Sequence, residues 1–143
     1  MAKSTLYNIY ADLVNAVKDT VGFPYVFLKD RPSVKNGKVP MSKFLVIDLP
    51  TSISDAVIGN EKTLLNTSGV FYAFVQARGN NTLDLNAMGE LVDSLHKLFP
   101  ISGEYVVATN PRVLMTGYDG DGFQVTSITF DLRCRWRAFD NKS

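Results

Sequence analysis

Residues near the end of the chain constrain its fold most. Ile128, Phe130, Leu132, Cys134 and Trp136 alternate with Thr129, Asp131, Arg133, Arg135 and Arg137. A period of two places successive side chains on opposite faces of a strand, so one face is apolar and the other carries a row of arginines. A strand of this kind needs a sheet to pair with and a second layer to cover its apolar face. Phe123 and Val125 fall on the other parity, which predicts a bulge or a switch of face near Thr126 and Ser127.

The covering layer is legible elsewhere. Leu6, Ile9, Tyr10, Leu13, Val14, Val17 and Val21 recur at helical spacing, with Ser4 placed to cap the first turn and Gly22-Phe23-Pro24 to end the helix. Leu85, Met88, Leu91, Val92, Leu95, Leu98 and Phe99 form a second stripe, predicting a helix over about 82–98. Asn81 or Thr82 is its expected cap, with Asp84 in the first turn, and Pro100 stops it. Residues 70–78 are almost continuously apolar, as in a strand buried on both faces, and Gly79-Asn80-Asn81 breaks them. Residues 105–108 and 112–118 read as two more strands, and residues 50–68 as the least regular part of the chain. The class is α+β: a mostly antiparallel sheet, two amphipathic helices packed on it and a long projecting β-hairpin. At 143 residues, the chain is expected to form a single domain, 1–143.

The hairpin rests on Asn36-Gly37, a type I′ turn signal flanked by Val34 and Val39. Tyr25-Val26-Phe27-Leu28 and Phe44-Leu45-Val46-Ile47 are the expected arms, and Pro32 and Pro40 keep the outer part, 29–43, out of the central sheet. That outer part carries Lys29, Arg31, Lys35, Lys38 and Lys43. Such a ribbon is either a solvated arm whose lysines block edge pairing or a docking arm for an acidic partner or nucleic acid. Arg133 and Arg135 pose the same choice between solvent and the carboxylates of a neighbouring subunit. These seven residues are the candidate subunit or partner contacts.

Charge and residue inventory narrow the chemistry. Hydrophobic residues make up 45% and charged residues 20%, and the net charge is +1, without the basic excess of a protein that coats DNA. Cys134 is the only cysteine and His96 the only histidine, so a cysteine/histidine zinc site and an internal disulfide are excluded. Cys134 sits on the apolar face of its strand and reads as a core residue. Asp93 and His96 meet as helix neighbours with no nucleophile motif beside them. Asp119-Gly120-Asp121-Gly122 resembles the opening of a calcium loop but lacks its later ligands and reads as a turn. Asp48, Asp55, Asp119, Asp121 and Asp131 show no shared metal spacing, and neither a Walker A loop nor a dinucleotide fingerprint occurs. The expectation is no enzyme activity, no cofactor and no metal. The opening residues and the absence of an apolar run of membrane length predict cytoplasmic synthesis and no membrane association.

The order helix (6–21), Asn36-Gly37 hairpin, strand 70–78 leading into helix 83–99, and closing strand 126–137 resembles the tail terminator, tail completion and neck proteins of tailed bacteriophages. The resemblance covers nearly the whole chain as a pattern; the hairpin is longer and more basic than that pattern requires. It implies a structural virion protein, a homo-oligomeric ring of six or twelve copies at the head–tail junction or tail end. The ring would contact adjacent neck or tail proteins, with DNA at most passing through its lumen, and would assemble in the host cytoplasm. The alternative is a small nucleic-acid-binding or processing protein using the basic hairpin as a wedge, with Tyr25, Phe27 and Phe44 beside it for stacking. A third reading is a ligand-binding domain with a pocket between helices and sheet.

Overall fold

The computed structural model describes residues 5–21, 26–28, 43–48 and 63–136, with side chains over 7–18, 43–48 and 67–134. The elements are α1 (Thr5–Val21), β1 (Val26–Leu28), β2 (Lys43–Asp48), β3 (Thr63–Gln76), α2 (Leu85–His96), β4 (Ile101–Ser102), β5 (Val106–Tyr118) and β6 (Phe123–Trp136). A single sheet runs β1-β2-β3-β6-β5-β4, antiparallel at every pairing except β1 with β2. The fold is therefore α+β, with two helices on a mostly antiparallel sheet.

The helical stripes are the covering layer. Ile9, Leu13 and Val17 of α1, four residues apart, are fully buried, and Met88, Leu91 and Leu95 of α2 are buried as well. They close over Leu45 and Ile47 of β2, Phe71, Ala73 and Val75 of β3, and Ile128, Phe130, Leu132 and Cys134 of β6. Burying each such side chain contributes roughly 1.5–3 kcal/mol. Phe71, Phe99 and Phe130 meet at the centre, with ring centroids 4.9 to 5.9 Å apart. The interval between helices and sheet is filled by this core.

The sheet's other face has an apolar cluster of its own. Phe44 stacks on Phe74 with centroids 4.4 Å apart, Phe123 meets Phe44 edge-on at 5.1 Å, and Val46, Tyr72 and Val125 pack around them. This corrects the expected bulge in β6. β6 pairs with β3 without interruption from Phe123↔Gln76 to Trp136↔Thr63. Phe123 and Val125 keep their parity and fill the second cluster. The irregularities lie in β5, between Thr109 and Arg112 and between Met115 and Gly117. Asn110, at φ 57°, and Gly117, at φ 103°, take up the left-handed backbone that these bulges need.

Other boundaries also moved. β3 begins at Thr63, inside the stretch read as irregular, and β5 is one strand through Pro111. β4, only two residues long, had no sequence signal. The helix cap is Asp84, whose side chain accepts from the Ala87 amide at 3.2 Å, not Asn81 or Thr82. Gly79–Asn81 form a 3-10 turn instead, closed where the Arg78 amide donates to the Thr82 carbonyl. The expected hairpin arms run in parallel, Val26↔Leu45 to Leu28↔Ile47. Parallel neighbours cannot be joined by a tight turn, so 26–28 and 45–47 are not the two arms of one hairpin. The basic outer part and its Asn36-Gly37 turn lie outside the described residues.

One buried polar atom departs from the pattern. Thr126 Oγ1 is fully buried on the helix side of β6 and makes no hydrogen bond. Replacing it with an isosteric methyl removes an uncompensated desolvation cost, so Thr126→Val is expected to raise the unfolding free energy by about 1 kcal/mol. Urea denaturation measures this, and a clear loss of stability would show that the hydroxyl has a partner.

Candidate functional site

Of the seven basic residues singled out from sequence, Lys29, Arg31, Lys35 and Lys38 lie outside the described residues, and the Arg135 side chain does too. Lys43 and Arg133 are both exposed, but the sheet separates them. Lys43 opens β2 opposite Val75, which pairs with Gln124 of β6. Arg133 is nine positions further along that strand, about 30 Å away at strand rise. They also sit on opposite faces. Lys43 shares the parity of Leu45 and Ile47 toward the helices, whereas Arg133 points away from them with Asp131. Arg133 and Arg135 instead mark the end of the β3–β6 ladder, which extends past the reach of β2.

Asp131 organises the first β5 bulge. Its carboxylate accepts from the Asn110 side-chain amide at 2.9 Å and pairs with the Arg112 guanidinium at 3.2 Å. The Asn110 hydrogen bond first, then Arg112, hold its carboxyl below the usual range. A carboxyl lowered in the folded state favours folding above its unfolded value, and that contribution disappears as pH falls through the lowered value.

The remaining chemical candidates resolve into structure. Asp119 Oδ1 accepts from the amides of Asp121 and Phe123, and the Asp119 amide donates to the Phe123 carbonyl, so the aspartate–glycine run is the β5–β6 turn. Cys134 is fully buried, and desolvation pushes its thiol up to about 11, far from a reactive thiolate. Asp93 and His96 are exposed on the last turns of α2. An open depression of about 490 Å³ lies where this helix end meets β5, between His96, Lys97, Phe99 and Asn110. Among the described residues, no three His, Cys, Asp or Glu side chains gather around a common point, and no helix is long and apolar enough to cross a membrane.

The surface feature that sequence reading passed over is on β5. β4 pairs only with Val107 and Ala108, so among the described residues the outer edge of β5 is unpaired from Thr109 to Tyr118. Val113, Leu114, Met115 and Tyr118 are all exposed there. The signal was available as three consecutive apolar residues in a strand. That run also fits a strand buried on both faces, and only the strand order places it at an edge.

No family model and no curated protein matches the chain. A solved chain whose name states no function superimposes with a TM-score of 0.54 at 14% sequence identity, covering 89% of this chain and 96% of the other. The likeness is one of fold.

Proposed function

We propose that the protein is a structural component of a tailed-phage virion, a tail terminator or neck protein that assembles into a homo-oligomeric ring at the head–tail junction or tail end. The observation that carries this reading is the element order. Helix α1, the long strand β3 leading into α2, and the closing strand β6 follow one another as in the pattern on which the resemblance rests, while its Asn36-Gly37 hairpin lies outside the described residues. The physical demands of such a joint agree with it. A ring subunit needs a rigid core and sheet edges available to neighbours. It does not need a strong net charge, and this chain's is +1. On this reading Lys29, Arg31, Lys35, Lys38, Lys43, Arg133 and Arg135 contact neighbouring subunits or adjacent rings, and the protein performs no catalysis. Native mass spectrometry of the purified protein is expected to give six or twelve copies, with rings visible by negative-stain microscopy. A particle no larger than a dimer at every concentration, combined with salt-sensitive DNA binding, would replace the ring with the nucleic-acid reading.

A further inference from the structure

We infer that the edge of β5 left unpaired among the described residues is a self-association surface, occupied by the same edge of a second copy of this chain. The inference is independent of any role in a virion. Soluble proteins usually protect an exposed edge strand with lysine, proline, a bulge or a covering segment. Among the described residues, those devices stop short of the centre. Pro111 and the first bulge lie on one side, and the bulge at Thr116 on the other. Between them, residues 112–115 keep regular register with Thr129, Ile128, Ser127 and Thr126 of β6.

That flat segment is apolar on both faces. Val113 and Met115 share the face of Ile128 and Thr126, and Leu114 shares that of Ser127, because cross-strand partners point the same way. Leu114 is 63% exposed, Met115 52%, Val113 44% and nearby Tyr118 40%. Val113, Met115 and Tyr118 lie on the helix side of the sheet and Leu114 on the other, so a strand added at this edge would meet apolar side chains on both faces.

Charge and length select the occupant. Residues 113–118 carry no charge, and the Arg112 guanidinium is already paired with Asp131 in the same chain. A foreign partner recognised by electrostatic complementarity would find little to read. An identical strip meets no like-charge repulsion. Among the described residues, the other sheet edge, β1, spans three residues, Val26–Leu28, too short to match this one.

Two copies related by a two-fold axis perpendicular to the sheet pair their β5 edges antiparallel. With the axis at Leu114, each Val113 lies opposite Met115 of the second copy and the two Leu114 residues face each other. All three apolar residues then pair within the segment that the bulges leave flat. Backbone hydrogen bonds supply the affinity and the apolar side chains the register, as in strand addition generally.

The test uses the full chain. In Leu114→Lys, two ammonium groups face each other at the axis. It is expected to keep the wild-type far-ultraviolet circular dichroism and to weaken self-association about thirtyfold or more in analytical ultracentrifugation. In Leu114→Cys, mild oxidation is expected to form a covalent dimer much faster than in Glu90→Cys, an exposed helix control. The native Cys134 is buried and does not compete. Wild-type protein that stays monomeric, a Leu114→Lys variant of unchanged mass, or a Leu114→Cys variant that crosslinks no faster than the control would each overturn the inference. A ring that survives Leu114→Lys intact would do so while leaving the ring reading standing. A dimer that dissociates in that variant would support the inference while counting against the ring.

Discussion

Phe130→Ala is expected to lower the unfolding free energy by about 3–5 kcal/mol, the usual cost of truncating a fully buried aromatic. Phe130 has no exposed surface, and its ring meets Phe71 at 4.9 Å and Phe99 at 5.2 Å. Those neighbours come from β3 and from the segment just after α2. The cavity would thus open between the central strands and the helical layer, where neither side can collapse without disturbing the other. Urea denaturation with an unchanged slope is the measurement. A loss below about 1 kcal/mol would mean that the site is not the packed centre of the core.

Gly103→Ala is the second large effect, and its cause is local. The Gly103 amide donates to the Val106 carbonyl at 2.8 Å in the turn joining β4 to β5. There α1 meets the sheet's edge: Asp12 Oδ2 accepts from the Tyr105 amide at 2.7 Å. A Cβ on Gly103 would stand 2.5 Å from that same oxygen, 2.8 Å from Asp12 Cγ and 3.1 Å from Asp12 Cβ. The carboxylate cannot swing away without abandoning Tyr105, and its stem is in the way as well. A loss of about 1–3 kcal/mol is expected, as for other overpacked sites. The double variant Asp12→Ala/Gly103→Ala separates the clash from the lost hydrogen bond. It should be less destabilised than the two single changes added together, because removing the carboxylate relieves the clash. Strict additivity would place the effect of Gly103→Ala elsewhere.

Much of this architecture is legible in the sequence where the pattern is local. The four-residue spacing of Ile9, Leu13 and Val17, the stripe through Met88, Leu91 and Leu95, and the alternation from Ile128 to Cys134 each report one face of one element. The failures are non-local. Phe123 and Val125 looked out of phase because their partners, Phe44 and Phe74, come from distant strands on the sheet's second face. Thr63 to Ser68 lack an apolar rhythm, and they form a strand because β6 offers them a full ladder. Asn36-Gly37 is a strong turn signal, yet a local turn says nothing of whether the flanking strands pair with each other in antiparallel fashion. The basic candidates were chosen by charge, which is visible residue by residue. The exposed edge of β5 depends on strand order, which is not.

The long β3–β6 ladder sets an order of events for the chain. Its partners are 47 to 73 residues apart in sequence, whereas β5 and β6 are joined by a tight turn. Closing the larger loop costs about 2 kcal/mol more entropy than closing the hairpin. The β5–β6 hairpin is therefore the cheaper nucleus, and β3 is expected to dock onto an edge already made. Until it does, Phe71, Ala73, Phe74 and Val75 have apolar side chains on both faces and no ladder partner on the β6 side. For this chain the interval before β3 finds β6 is the period of greatest exposure to aggregation, and it is set by topology more than by final stability.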